Sequence, residues 1–407
     1  MRRAQTSAVR ALDAGEARGY PREGMPDRPV ELIEVPLSDR KLVERFIRVP
    51  WYVNREHHPS PRWVPPLLMD RRDYLDPTKN PFFEHVEAAF WIATVDGRDV
   101  GRVAAVKDFD YIRFHNEQTG YLGMFESPDD PAVAQALIDR ASQWLKGRGL
   151  TSMIGPLELS TNYISGVLLD AFDRDPGINM PYNPPYYDRL LQSCGLVKAK
   201  DLLHWGLDPK QPVPERVSRV ADKMAARRGV KIRQMSFADW DAEVLRTLEI
   251  YNDAWEKNWG FVPLGDKEYL HIAKDLKMVL HPDFAILAEV DGKPAAFVLT
   301  IQNVNPILKK LDGKLFPFGI LRLIWDMKVR KKVDSGRLIL LGIKAPYRGQ
   351  GIDSLLFLAT HRAAVKQGWT AGEIGWTLED NHRVNSAIKA MGGFQVATYR
   401  VYSKVFA

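Results

Sequence analysis

Between residues 344 and 353 the chain reads K-A-P-Y-R-G-Q-G-I-D. The run follows an apolar segment, RLILLGIK, that reads as a strand. It precedes DSLLFLATHRAAVKQG, which reads as a helix. A loop in that setting can offer the backbone N–H groups of Arg348, Gly349, Gln350, Gly351 and Ile352 to an anion. Glycines let the backbone come close, and the helix start carries a partial positive charge. Arg348 adds a cation. The chemistry expected is the cradling of a pyrophosphate. The plainer alternative is an ordinary glycine turn.

The elements that must position this loop occur twice. VELIEVPLSD at 30–39 is echoed by VKIRQMSFAD at 230–239, each a short strand leading to an acidic residue, Asp39 or Asp239, at a helix start. Each is followed by a helical pattern, KLVERFIRVPWYVN or WDAEVLRTLEIYNDAW. A hairpin then recurs, at 89–106 and 284–301, turning on Asp96-Gly97 and Asp291-Gly292. A strand, a loop and a helix ending at Gly149 or Gly368 follow. The order is the same in both copies, so two copies of one mixed α/β unit are expected. In the first copy, the place of the glycine loop is taken by E-S-P-D-D-P at 126–131. Its carboxylates and prolines repel a pyrophosphate and remove donors. The first copy is therefore expected to be degenerate, a wall, lid or dimerisation element.

The expected division is a flexible polar tail over 1–29, a first unit over 30–208, a linker helix over 209–229 and a second unit over 230–407. A chain of 407 residues has room for two such cores. The single cysteine, Cys194, excludes an internal disulfide, and no Cys/His cluster has zinc spacing, so no metal is expected. The arginine-bearing N-terminus lacks an apolar core, so it is not read as a secretory signal. No run is long and apolar enough to span a membrane. The net charge of +6 suits anionic partners such as phosphates or acidic lipid heads. The basic residues are scattered apart from 322–332 and no nucleic-acid motif occurs, so nucleic acid is not an expected partner.

The stretch GIKAPYRGQGIDSLL, with the later strand and helix ending in G-F, resembles the GCN5-related N-acetyltransferase (GNAT) superfamily. The resemblance covers 230–407 clearly and 30–208 weakly, and implies an α/β fold of tandem GNAT-like mixed sheets with a degenerate N-terminal copy. It implies acyl-CoA as the donor substrate and an amine as the acceptor. Leu341, Gly342 and Ile343 would hold pantetheine through the backbone, and Arg348, Gly349, Gln350, Gly351, Ile352 and Asp353 the pyrophosphate. The strand holding Ile374 to Thr377 would splay to open a slot for the thioester. Two residues depart from the pattern: Asp353 replaces the usual Gly or Ala, and the helix NSAIKAMGGF has no tyrosine to protonate the leaving thiolate. Tyr399 or Tyr402 is the expected substitute; the alternative is that no acid is needed, because a thiolate is a tolerable leaving group. The segments WVPPLLMD, KNPFF, GPLELSTN, MPYNPPYY and YNDAWEKNWGFVPL are similar to those of long tandem bacterial members, bacterial ceramide synthases among them. That similarity implies a long acyl donor and a sphingoid-base acceptor. An amino acid or small amine as acceptor, or a non-catalytic acyl-CoA sensor, are the alternatives.

Amide formation from a thioester requires a neutral amine and therefore a base. Glu373 and Glu379 are candidates, with Asp380 and His382 beside them. The alternative for Glu379, Asp380 and Asn381 is capping of the next helix. Asn252, Trp255, Asn258 and Trp259, with Trp376, are the expected acceptor pocket, aromatic rings for an apolar tail and amides for a polar head. The alternative is a helix end buried in the core. Asn162, Tyr163, Asn183 and Tyr187 of the first copy are expected to cap the same cleft. Residues 315–332 join Phe316, Phe318, Ile320, Leu321, Leu323, Ile324 and Trp325 to Lys328, Arg330, Lys331 and Lys332. Such a segment either lies on an anionic membrane surface or is a buried insertion or dimer contact. A cytoplasmic protein, peripheral at the inner membrane surface, is the expected location.

Overall fold

The computed structural model describes residues 29–330 and 333–406. The expected tail up to residue 28, Lys331 and Lys332 of the basic flank, and Ala407 lie outside the described residues. The first half supplies strands β1 (Glu31–Glu34), β2 (Val86–Val95), β3 (Arg98–Asp108), β4 (Thr119–Glu126), β5 (Ser152–Leu157), β6 (Val167–Leu168) and β7 (Val197–Leu207). The second supplies β8 (Val230–Gln234), β9 (Leu280–Val290), β10 (Lys293–Gln302), β11 (Ser335–Ile343), β12 (Ala371–Leu378) and β13 (Phe394–Val405).

Local chemistry explains the repeated pieces. Both hairpins turn through two residues of positive φ, Asp96 at 51° and Gly97 at 74°, then Asp291 at 50° and Gly292 at 74°. Such turns match the twist of the strands they join. Asp39 caps its helix, Arg40–Trp51, by accepting from the amides of Lys41 and Leu42 at 2.9 and 3.1 Å. Asp239 stands at the same place but does not cap; its carboxylate meets the Ser236 hydroxyl at 3.4 Å instead.

All thirteen strands join one mixed sheet, ordered β1-β2-β3-β4-β5-β13-β7-β12-β11-β10-β9-β8, with β6 paired to β13. The order reads as two matching halves that have exchanged their last strands. β7, the last strand of the first half, pairs with β12. β13, the last of the second, pairs with β5. The exchanged strands pair with each other from Phe394↔Gly206 to Ser403↔Val197. Neither half of the sheet is complete without a strand from the other.

The first half buries one continuous core around Phe46, Phe90, Trp91, Tyr121 and Leu137. The second half has a core on each face. One, around Trp240, Leu248 and Phe297, lies beneath the helices Trp240–Trp255 and Asp266–Lys277. The other, around Trp205, Leu338, Leu356 and Ile374, lies beneath Ile352–Lys366 and the linker helix Glu215–Ala225.

The halves also meet through a buried polar group. His85 of the first half lies 3.2 Å from Asp108 Oδ1 through Nδ1 and 3.0 Å from Glu268 Oε2 through Nε2. Tyr163 donates to the other oxygen of Glu268 at 2.8 Å. Burial opposes the imidazolium, but hydrogen bonds to Asp108 and Glu268 and their charges outweigh it, raising His85 to about 10. A group raised on folding contributes stability that is complete below its unfolded value, about 6.5, and is lost as pH climbs through the folded value. Thermal melts are therefore expected to fall between pH 7 and pH 10. His85→Ala should cost on the order of 3 kcal/mol at neutral pH and flatten that pH dependence; an unchanged slope would remove His85 as its cause.

Candidate active site

The site begins where two parallel strands stop pairing. β11 and β12 are in register at Ser335↔Ala371, Gly336↔Gly372, Arg337↔Glu373 and Leu338↔Ile374, and pair no further. Beyond that point Ile339, Leu340, Leu341 and Ile343 are only half-buried. The guanidinium of Arg337 fills the vertex, donating from Nε to the carbonyl of Gly375 at 2.8 Å. The corresponding strands of the first half stay joined to Gly123↔Leu157, and β4 is buried along nearly all its length. The parting leaves the β12-facing edge of β11 without a strand partner at Leu341, Gly342 and Ile343, where pantetheine is expected, while the other edge stays paired with β10 from Val298↔Leu341 to Ala296↔Ile343. A Cβ on Gly342 would lie 2.7 Å from Trp255 Cζ3, so the strand runs directly against that indole.

The loop after β11 contrasts with its counterpart in donor supply. Gly349 and Gly351 have φ of 75° and 95°, and the helix Ile352–Lys366 starts without a side-chain cap. Among the described residues, no hydrogen-bond acceptor meets the amides of Gly349, Gln350 and Gly351. In the first half every matching donor is consumed internally. The Ser127 amide donates to Tyr187 Oη at 3.1 Å, that of Asp129 to His57 Nε2 at 2.8 Å, and that of Asp130 to the Pro128 carbonyl at 2.7 Å. Asp130 itself caps the next helix, Pro131–Lys146, through the amides of Ala132 and Val133. A helix N-terminus satisfied from within has little left for an anion.

Arg348 is held at the loop mouth. Its Nη2 pairs with Asp253 Oδ1 at 2.6 Å and its Nε donates to the Ile343 carbonyl at 2.9 Å. Both partners of the ion pair are about one-third exposed, at 36% and 35%. Such a pair alone is worth about 0–1 kcal/mol, but Nη2 also donates to the Asp253 carbonyl at 2.8 Å, and Asp253 Oδ1 takes the Ala345 amide at 2.8 Å. Asp353 lies in the first turn of the helix without capping it. The linker helix closes the other side: a Cβ on Gly351 would lie 2.7 Å from Val220 Cγ1. Exposed Arg383 brings Nη2 to 3.3 Å from a Cβ built on Gly349, a cation that the sequence reading missed.

The remaining expected residues divide. Glu373, Tyr399 and His204 line one small cavity with Gly177, Tyr182 and Ala397. Tyr399 is buried, and burial pushes its phenol upward, so it stays protonated near neutrality. Tyr402 belongs to the first-half side, where it bonds Asp188. Glu379 spends its carboxylate on β7, taking the Asp201 amide at 3.0 Å and Lys198 Nζ at 2.7 Å. Asp380 pairs with Lys200 at 2.7 Å, whereas Asn381 caps the helix His382–Ala390 through the Val384 amide at 3.3 Å. His382 is exposed.

In the expected acceptor pocket, Trp255 stacks on Tyr251 at 4.8 Å, against β11. Trp259 and Trp376 instead pack on the first-half core. Asn252 uses both ends of its amide on the Leu264 backbone, at 3.1 and 3.2 Å, and so positions the intervening loop. Asn258, in that loop, is half-buried, and its backbone N–H donates to the Trp255 carbonyl at 2.8 Å. Asn162 and Tyr163 do cross from the first half, Asn162 accepting from Tyr251 at 3.1 Å. Asn183 and Tyr187 stay within it, Asn183 on the Leu168 backbone and Tyr187 on Glu126. Arg337 and His204 were missed. A charged residue within RLILLGI and an imidazole within DLLHW, both apolar strand patterns, were the available signals.

A mixed α/β unit built twice along one chain, with a parted parallel pair and a glycine loop in its second copy alone, defines a tandem GNAT-fold protein. Solved structures agree on the fold. A tandem GNAT protein from the clavulanic acid biosynthesis pathway superposes with a TM-score of 0.56 at 13% identity, covering 93% of this chain and 98% of that one. A GCN5-related N-acetyltransferase from Sphaerobacter thermophilus gives 0.51 at 14% identity, over 94% and 97%. No protein-family model matches the chain. Among curated proteins, the bacterial ceramide synthase of Caulobacter vibrioides is 36% identical over 379 residues, 92% of this chain and 97% of its own length. Protein YghO of Escherichia coli K12 is 33% identical over 351 residues, 85% and 89% of the two chains. The chain belongs to the family of the bacterial ceramide synthase.

Calorimetric titration with CoA is expected to give one site per chain. Gly349→Glu should weaken that site at least tenfold, by placing a carboxylate among the loop amides; two sites, or unchanged affinity, would reject the assignment.

Proposed function

We propose that this protein is an acyl-CoA-dependent N-acyltransferase that moves a long acyl chain to the amine of a sphingoid base. The observation that carries the reading is the parting of β11 from β12, with loop amides that meet no acceptor among the described residues at one end and Glu373 at its vertex. In it, Leu341 to Ile343 hold pantetheine and the loop Arg348 to Asp353 holds the pyrophosphate, with Arg348 released from Asp253. The name and close similarity of the Caulobacter relative support a sphingoid acceptor. Glu373 faces the amine, and Tyr399, kept protonated by burial, is the acid for the leaving thiolate. Trp255 lines the donor strand, while Trp259 and Trp376 border the acceptor side.

The segment between β10 and β11 supports a lipid acceptor further. Its helix Gly319–Ile324 and following turn, Trp325–Val329, leave Phe318 77% and Leu321 64% exposed, with Phe316, Trp325 and Val329 alongside. Arg322 and Arg330 flank them, 3.9 and 3.7 Å from Asp326. The same segment is tied to the loop above the slot vertex, Asn305 donating to the Pro176 carbonyl at 2.9 Å. Apolar tips beside cations suit an anionic bilayer, from which an amphiphilic amine would be drawn toward the slot.

A free-thiol assay crossing acetyl-, lauroyl- and palmitoyl-CoA with sphingoid bases and amino acids tests the reading. Thiol release with palmitoyl-CoA and a sphingoid base, with an N-acyl product by mass, is expected. Release only with acetyl-CoA and small amines would replace the lipid acceptor, and CoA binding without release would leave a sensor. In a separate sedimentation assay, the chain should bind vesicles containing phosphatidylglycerol, and Phe318→Glu with Leu321→Glu should reduce the bound fraction severalfold.

A further inference from the structure

We infer that His204 and Glu373 form one proton-accepting pair, so that the first repeat supplies half of the chemistry of the second repeat's slot. The inference rests on the acyl-transfer reading above and assigns it a group outside the repeat that binds CoA. Strand exchange makes the pair. β7 lies between β12 and β13, which brings a residue of the first repeat beside the parted strands. Trp205, Ile374 and Leu338 point into the core beneath Ile352–Lys366. Their neighbours His204, Glu373 and Arg337 therefore face the opposite side of the sheet, away from the CoA-loop helix.

On that side His204 Nε2 lies 3.5 Å from Glu373 Oε2. Both atoms are buried with no hydrogen-bond partner among the described residues, and His204 is only 2% exposed. Buried polar groups in folded proteins are almost always bonded, so two facing ones at a slot vertex point to a ligand or proton that comes and goes. The cavity beside them, about 20 Å³, has room for one water. The covering backbone is fitted to the pair. A Cβ on Gly177 would lie 2.3 Å from Glu373 Oε2 and 3.0 Å from His204 Cε1, so a larger residue there would displace the carboxylate from this position. Arg337 fixes the cover by donating to the carbonyls of Ile178 and Asn179, the latter at 2.9 Å.

The acceptor arrives as an ammonium. It loses one proton through the cavity water to His204 Nε2, and the Glu373 carboxylate stabilises the imidazolium so formed. The neutral nitrogen attacks the thioester carbonyl, a C–N bond forms and the C–S bond breaks. The second proton lost by nitrogen ends on the CoA sulfur. The first passes from the pair to solvent, so amine, thioester, amide, thiol and one released proton balance.

The test uses the full chain with the most active donor and acceptor found by thiol release. His204→Gln and Glu373→Gln should each lower kcat by about 10²–10⁴-fold, with CoA affinity unchanged. The double variant should be little worse than either single one, because the two act as a unit. The deficit should shrink between pH 7 and pH 9, where the amine increasingly arrives neutral; a packing defect would not be repaired by pH. Losses below about threefold, or an equal deficit at both pH values, would overturn the pair. Nitrogen-15 histidine NMR supplies a readout independent of turnover. The His204 resonance is expected to shift in Glu373→Gln protein, and an unmoved resonance would overturn the pair. An inactive wild-type chain would overturn the acyl-transfer reading alone, leaving the NMR result to decide the pair.

Discussion

The structure depends on one interruption of hydrogen bonding. Parallel strands gain by pairing along their full length, and unpaired buried backbone is costly. β11 and β12 nonetheless part after Leu338↔Ile374. Arg337 makes the parting tolerable by bonding the Gly375 carbonyl from within the vertex. Burial lowers this guanidinium toward about 10 while the nearby Glu373 charge supports it, so it remains a cation at neutral pH. The carboxylate beside the slot is thus tied electrostatically to the group that keeps the slot open.

The two repeats show the same backbone plan under opposite treatment of its donors. In one, histidine, tyrosine and aspartate side chains satisfy the amides of the loop after the fourth strand, and the strands beneath remain joined. In the other, the loop carries Gly349 and Gly351 at positive φ, and no acceptor among the described residues meets the amides of Gly349, Gln350 and Gly351. The first repeat is not idle for having closed its own slot. Its loop covers the vertex of the other, and its last strand completes the other's sheet.

Local signals made the hairpins, the helix ends and the glycine loop legible, because each depends on residues close in sequence. Asp96-Gly97 needs no distant partner to turn a strand. The position of His204 was illegible for the opposite reason: its meaning comes from Glu373, far along the chain, and from an exchange of strands that no local pattern encodes. Asn252 illustrates the converse failure. Its amide beside two tryptophans suggested a ligand contact, yet tertiary folding brought the Leu264 backbone to both ends of it. Glu379 directly follows β12, but Lys198 and the Asp201 amide, on a strand from the other repeat, occupy its oxygens.

The exchanged strands make the two repeats mechanically inseparable. A chain cut within the connector 209–229 would give two fragments, each carrying a strand that fits only the other's sheet and each lacking one that only the other carries. Such fragments would be mutual templates rather than independent units.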